Sequence, residues 1–435
     1  MYLSLRAFTS LQHFLRERLT LAGWLTLAAA ATAGSLGIDT TRSVSYQAFG
    51  FLAALLGLAF IAAPFFRPRV GVKRELPPYA TVGVPVEYRV SVENRGRRRL
   101  RGATLVERPR DPRPTYEQWK HAREPGEARR NPFDRGMGYF RWRWLIERRM
   151  PAPPQHAELP DLEPGERATL KLALTARRRG RIELAGLTAA RTDLLGLLRG
   201  LARIAAEGRL IALPRRYRLP ELALPGARRF QLGGVSLATS VGDSEEFIGL
   251  RDYRPGDPLQ KLHWKSYART GKPIVKEHQD EFFERHALVL DTSTERGEDA
   301  AFEEAVSIAA SFVYAIDTHE CLLDLLFVGG EVRSYSAGRG QLRLDHMLEV
   351  LAGVAPSPPA EFDRLARAVL SQRQRLSSCI VVLLDWDEPR RAFVHALRGS
   401  GLEVRALLVS AEKISEKGIL VLHPGEIEAG LAKLR

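Results

Sequence analysis

Asp291 closes a short apolar run at residues 287–290, and Asp385 follows a second at 380–384. Continuous apolar runs of this length read as strands buried on both faces. Open α/β sheets bind ligands beyond the carboxyl ends of their strands, so these two carboxylates are the first candidates for binding or chemistry. Other familiar machinery is missing from the sequence. It has no Gly-x-x-x-x-Gly-Lys phosphate loop, no Gly-x-Ser-x-Gly elbow and no His-Glu-x-x-His pair. The histidines, among them His263, His286 and His319, are scattered. Cys321 and Cys379 are too few and too far apart for a disulfide framework or a cysteine zinc site, and they read as buried small residues.

The elements that must position the two aspartates alternate strand and helix from residue 286 onward. Residues 302–316 have helical spacing, 322–328 read as a strand, and Gly329-Gly330 turns it into a second strand at 331–335. So short a connection argues a hairpin, which makes one sheet edge antiparallel. Helices follow at 342–351 and 362–370, then the strand at 380–384, a helix at 391–397 and a strand at 404–409. This pattern predicts a mostly parallel sheet covered on both faces.

The 435 residues suffice for two or three domains, and 45% hydrophobic content excludes a disordered or collagenous chain. The net charge of +14 is unevenly spread: residues 67–240 hold 37 basic against 18 acidic side chains, whereas 241–435 hold 24 against 31. Residues 19–38 and 43–66 form two uncharged runs, each long enough to cross a hydrocarbon core of about 30 Å as a helix. Asp39, Thr40, Thr41 and Arg42 lie between them, while Arg6, Arg16, Arg18, Arg67, Arg69, Lys73 and Arg74 flank the pair. The positive-inside rule places both termini in the cytoplasm. A cleaved signal peptide is the alternative for the first run, since Ala31-Thr32-Ala33 resembles a cleavage site.

In the basic middle, Val86, Tyr88, Val90 and Val92 alternate with polar residues, as do Leu170, Leu172 and Leu174. This period of two predicts a small β-sandwich. A polar stretch at 109–164 interrupts it and contains Tyr139-Phe140-Arg141-Trp142-Arg143-Trp144-Leu145. Read as a strand, it puts Phe140, Trp142 and Trp144 on one face, either against the core or facing a membrane interface or partner. The excess of arginine suits anionic inner-leaflet lipid. Nucleic acid is disfavoured as a partner, because no recognised module accompanies the charge.

Between the β-rich middle and the α/β part lies an ordered series: Phe247, Gly249, Leu250, Arg251, Tyr253, Pro255, Gly256 and Asp257, then Trp264, Lys265, Ala268 and Arg269, then Lys276 and Glu277. Taken alone it reads as a loop-rich connector, with turns at Pro255-Gly256-Asp257 and Thr270-Gly271-Lys272. The series resembles the signature of the bacterial "domain of unknown function 58" family, with departures at Leu262, His263 and Tyr267. Thr192-Asp193-Leu194-Leu195-Gly196-Leu197 sits where that family usually has Asp-Pro-Phe-Gly-Leu.

The expected fold is therefore multi-domain. Residues 1–66 form an N-terminal tail and a transmembrane helical hairpin, 67–220 a basic β-sandwich-like domain, 221–285 the signature connector, and 286–435 an α/β domain. The resemblance implies that this last domain is von Willebrand factor A-like, or Rossmann-like in the broad sense. It also implies partnership with a MoxR-type AAA+ ATPase, often with a transglutaminase-like membrane protein, in assembly, maturation or envelope stress.

Domains of that type hold Mg²⁺ with Asp-x-Ser-x-Ser after the first strand, plus a Thr and an Asp from other loops. Here the loop is Asp291-Thr292-Ser293-Thr294-Glu295, so Asp291, Ser293, Glu295 and Asp385 are the candidate metal ligands, with Glu295 replacing the second Ser. In the metal-free alternative, Asp291 is a surface helix cap. The expectation is an adaptor of the bacterial inner membrane, multi-pass, that is not an enzyme. The competing reading is a metal-dependent hydrolase using Asp291 and Asp385. As connector residues, Arg251, Asp257, Trp264 and Arg269 are expected to fix the orientation of two domains, with the Trp264 ring buried.

Overall fold

A computed structural model describes residues 1–36, 43–124, 126–220, 245–257, 259–280, 284–295, 300–316, 321–337, 341–412, 414 and 416–434. The chain divides into two compact units, Met1–Arg215 and Arg216–Arg435.

Unit 1 opens with three helices, α1 (Tyr2–Arg18), α2 (Leu21–Leu36) and α3 (Ser43–Ala62). The segment expected as a tail is thus helical. Leu19 and Thr20 break what reads as a continuous apolar run. Thr20 caps α2, its hydroxyl accepting from the Gly23 amide at 3.0 Å. The break leaves α2 with 16 residues, about 24 Å of helix. The 23-residue stretch Val44–Phe66 is long and apolar enough to cross a membrane. The loop at 39–42 lies outside the described residues.

Two sheets follow. Their strands are β1 (Val70–Glu75), β2 (Tyr79–Thr81), β3 (Pro85–Asn94), β4 (Ala103–Pro109), β5 (His156–Glu158), β6 (Arg167–Thr175), β7 (Gly180–Thr192) and β8 (Arg199–Leu213). One sheet runs β1-β3-β6 and the other β2-β8-β7-β4-β5. The alternating residues Tyr88, Val90, Val92, Leu172 and Leu174 of the first share a core with Leu105, Ile182, Leu187 and Leu210 of the second. Inside that sandwich Glu107 accepts from Tyr88 at 2.6 Å and pairs with the equally buried Arg74.

Between β4 and β5 lie α4 (Tyr116–His121), α5 (Pro132–Met137) and α6 (Tyr139–Arg149). The aromatic run expected as a strand is therefore a helix. Its Trp142 and Leu145 are buried one turn apart. The i,i+4 pair Arg143–Glu147 (3.2 Å) and Arg148 over the Trp144 ring line its outer face.

The β7–β8 turn is locked to the start of α2. The Thr20 hydroxyl donates to the Gly196 carbonyl at 2.5 Å, and the Thr20 amide to Leu197 O at 3.1 Å. Gly23 permits that approach, because a Cβ there would lie 2.2 Å from the Leu197 carbonyl oxygen.

Unit 2 opens with β9 (Glu245–Asp252), α7 (Trp264–Thr270) and β10 (Ile274–Asp280). A six-stranded sheet follows, built from β11 (Glu284–Leu290), β12 (Cys321–Gly329), β13 (Glu331–Ala337), β14 (Ser378–Leu383), β15 (Glu403–Val409) and β16 (Ile419–Leu422). Its helices are α8 (Ala300–Ala315), α9 (Gln341–Gly353), α10 (Phe362–Gln372), α11 (Glu388–Gly399) and α12 (Ile427–Leu431). The strand order is β13-β12-β11-β14-β15-β16, with β13 antiparallel to β12 and the other pairs parallel. Ala287 and Val289 share a core with Phe362, Leu365, Phe393 and Leu397 of α10 and α11. Leu288 and Leu290 point to the opposite face and are also buried, so β11 is covered on both sides. Cys379 is buried on β14, where desolvation pushes its thiol up to about 12.

Candidate functional site

β11 ends by delivering Asp291 to the carboxyl edge of the sheet, but not to solvent. The residue is 0% exposed. Its Oδ1 accepts from the Ser293 amide at 2.9 Å, and its Oδ2 from the Leu384 amide at 3.3 Å and Arg390 Nε at 2.7 Å. Arg390 comes from the first turn of α11. The Asp387 side chain caps that helix, accepting from the Arg390 amide at 3.1 Å. The same guanidinium donates to Asp387 Oδ2 at 2.6 Å and to the Ser293 carbonyl at 2.8 Å. Burial pushes the Asp291 carboxyl up, while Arg390 and the two amides pull it back down.

Around this pair the Thr292 hydroxyl donates to Val328 O at 2.8 Å. Ser357 lies 3.0 Å from the Thr292 hydroxyl and 3.3 Å from that of Ser293. Every oxygen of this strand-end cluster that faces inward is thus taken by the chain's own groups.

The four expected metal ligands are not brought together in one shell. Asp291 and Ser293 are buried and engaged, whereas Glu295 and Asp385 are exposed. Asp385 accepts from the Trp386 amide at 2.8 Å, in a local turn. Among the described residues no three His, Cys, Asp or Glu side chains stand close enough to hold an ion. At Asp291 the physical reason is Arg390, whose fixed cation occupies the carboxylate that an ion would need. Asp291 is therefore not the surface cap expected from sequence; the residue capping the nearby helix is Asp387. Sequence reasoning missed Arg390 and Ser357, and gave no role to Asp387 and Thr292. The Asp-x-x-Arg spacing at the start of α11 was the available signal.

The signature residues fold as a β-hairpin rather than a loop-rich connector. β9 and β10 are antiparallel, with Arg251 opposite Val275 and Leu250 opposite Lys276. The turn Arg254-Pro255-Gly256-Asp257 is closed by the Asp257 amide donating to Arg254 O at 3.0 Å, with Gly256 at φ 108°. Arg251 grips Asp257 through two hydrogen bonds of 2.7 Å, and Asp257 also accepts from the Arg254 amide at 2.8 Å. Arg251 first, and then that amide, hold the Asp257 carboxyl down at about 2.

Leu262 is buried and bridges to Val275, which folds α7 back onto β10. What α7 presents outward is Trp264, 62% exposed, set edge-to-face against Tyr267 at 6.2 Å. Leu250, Leu259, Lys265, Ala268, Arg269 and Lys276 are exposed too, and Tyr253 is half-buried. The expectation of a buried Trp264 ring is corrected: the positions buried in this segment, among the described residues, are Leu262 and Val275. The side chains of Phe247 and Glu277, and residues 221–244, lie outside the described set.

Fold and sites together define a multi-domain α/β protein with mixed sheets, a β-sandwich and an apolar helix long enough to cross a membrane. Residues 249–418 match the family described as "Protein of unknown function DUF58". Over 182 residues the chain is 27% identical to the "Uncharacterized protein YeaD" of Bacillus subtilis (strain 168), an alignment covering 41% of this chain and 44% of that one. The chain thus spans less than half the length of that relative.

Among solved structures, the CARDB domain of the PF1109 protein from Pyrococcus furiosus, in complex with di-metal ions, is 12% identical with a TM-score of 0.16. That match covers 32% of this chain and 90% of the other. A β-glucosidase from Listeria innocua, in complex with gluconolactone, is 10% identical with a TM-score of 0.16, over 32% and 16% of the two chains. Scores this low support no statement about shared ligands.

Proposed function

We propose that this protein is a membrane-anchored adaptor whose signature hairpin docks a protein partner. The observation that carries this reading is the exposed face of α7: a tryptophan, a tyrosine and two cations, Lys265 and Arg269, on a hairpin clamped by Arg251 and Asp257. Aromatic and arginine side chains are the residues most often found at the energetic centre of protein interfaces. A rigid hairpin presents them at low entropic cost. The cations call for an acidic partner surface.

In this reading the α/β domain is von Willebrand factor A-like. Its strand order, its Asp291-Thr292-Ser293 loop and Ser357 keep the frame of such a domain, with Arg390 in place of a metal. The partner implied by the family resemblance is a MoxR-type AAA+ ATPase, and the location is the bacterial inner membrane with both termini cytoplasmic. The hydrolytic alternative loses its support at Asp291, whose carboxylate is sealed from solvent.

The test is co-purification from native membranes. Lys265→Glu combined with Arg269→Glu should abolish recovery of the ATPase while the protein's own yield and melting stay at wild type. Wild-type recovery by that variant would overturn the docking assignment.

A further inference from the structure

α1 has two faces with opposite surroundings. On one, the Tyr2 hydroxyl donates to Pro114 O at 3.1 Å, its ring meets Trp142 at 5.4 Å, and Leu5 is buried. Ser10, at the border between the two faces, accepts from Arg113. On the other, Leu3 (75% exposed), Phe8 and Leu11 are exposed, as is Phe14, over whose ring the Arg18 guanidinium lies at 4.8 Å. At 3.6 residues per turn these four fall on one stripe, the pattern of a helix lying in a membrane interface. The exposed Arg16 and the half-buried Arg18 occupy the last turn.

The chain then passes through Leu19 and Thr20 directly into α2. Docked on that junction is the β7–β8 turn, whose tip is Leu194, 88% exposed, beside the exposed Leu195. Leu197 and Leu198 of the turn pack with Leu19, Ala59 and Ala63, so the turn is fixed to the feet of both apolar helices. Exposed Arg67 and Arg69 follow α3 on the same side.

We infer that α1 and the Leu194–Leu195 tip form one lipid-binding footing, seated in the anionic leaflet that α2 and α3 enter. Continuity decides the occupant. The exposed stripe leads through the Leu19–Thr20 junction into helices that are themselves apolar and outward-facing, and arginines stand at that junction where lipid phosphates would lie. The inference rests on the membrane reading of α2 and α3, and its test keeps the two apart.

Single cysteines are placed at Leu58 in α3, Leu11, Leu194 and Val84 in full-length protein lacking Cys321 and Cys379. Each is spin-labelled, and the protein is reconstituted in nanodiscs containing phosphatidylglycerol. Val84 is exposed and lies at the end of the sandwich remote from the β7–β8 turn, since its neighbour Val82 bonds to Leu213 at the far end of β8.

The readout is the ratio of oxygen to nickel-chelate collisions, which rises with depth in lipid. Leu58 should be deep, Leu11 and Leu194 several-fold above Val84 and similar to each other, and Val84 aqueous. A deep Leu58 with aqueous Leu11 and Leu194 overturns the footing and leaves the membrane reading intact. An aqueous Leu58 overturns both. Exclusion of both reagents at Leu11 and Leu194 means a protein covers them, which also overturns the inference.

Discussion

Arg390 holds Asp291 at the sheet edge, and Arg251 holds Asp257 at the hairpin turn, each through hydrogen bonds of 2.7 Å. The first pair is almost fully buried, whereas both partners of the second keep contact with water. That difference in surroundings assigns them different work. The buried pair closes a strand-end site that sequence analogy expected to be open. The surface pair stiffens a hairpin whose aromatic face remains available. Residue types alone suggested the reverse: an accessible aspartate and a buried tryptophan. Exposure, not chemical identity, decides which of the two regions can meet another molecule.

The largest expected effect comes from breaking the buried pair. Asp291→Ala takes away the buried partner of Arg390, leaves it only the half-exposed Asp387, and should cost about 3 kcal/mol, read as a lower urea midpoint at unchanged slope. Replacing both members together, Asp291→Leu with Arg390→Met, should recover most of that loss, because apolar residues of similar size substitute well for a buried ion pair. A loss below about 1 kcal/mol for Asp291→Ala would mean that water reaches the site and that the two regions do not differ as described. The same comparison bears on metal. With Arg390 supplying the positive charge, chelation by EDTA should leave the melting temperature unchanged, whereas a resident Mg²⁺ would make it fall.

Trp264→Ala probes the other side. A ring 62% exposed should change global stability by no more than about 0.5 kcal/mol. Partner recovery should nonetheless fall at least tenfold, about 1.4 kcal/mol, if the ring is an interface anchor. Thermal melts and quantitative pull-downs of the one variant separate the two quantities. A large drop in melting would place Trp264 back in a structural role and remove the contrast with Asp291.

How much of this was legible in the sequence depended on range. Strands β11, β12, β14 and β15 were readable because burial on both faces makes them continuous apolar runs. The antiparallel β13 followed from Gly329-Gly330, whose Gly330 adopts φ 80°. β16, at four residues, gave too short a pattern to read. Arg390 lies 99 residues from Asp291, and no local pattern reveals such a partner.

Trp264 misled because a large aromatic raises the expectation of burial, while the buried contact of the segment is made by Leu262 with Val275. The run at 139–145 misled because alternation over so few residues fits a strand as well as about two helical turns. The break at Leu19 and Thr20 was invisible for a different reason. Both sit comfortably in an apolar run, and the acceptor that ends the helix there is the Leu197 carbonyl of a distant turn.

The smallest effect is local and acid-dependent. Arg251 and the Arg254 amide hold the Asp257 carboxyl at about 2, below its ordinary value near 3.9. The folded hairpin therefore binds the Asp257 proton less readily than the unfolded chain does. Its clamp is fully present above about pH 4 and is lost as the pH falls toward 2. Following the Arg254 amide by NMR through that range should show one titration, with the Asp257 side chain as its source. In Asp257→Asn the titration should vanish, and residues 254–257 should exchange faster at every pH, while global melting stays unchanged. Asp291 should not share this acid window, because burial pushes its carboxyl up rather than down. If the Arg254 amide instead titrated at the ordinary aspartate value, Arg251 would not be clamping the turn in solution. The hairpin would then lose the rigidity that makes its exposed face a docking surface.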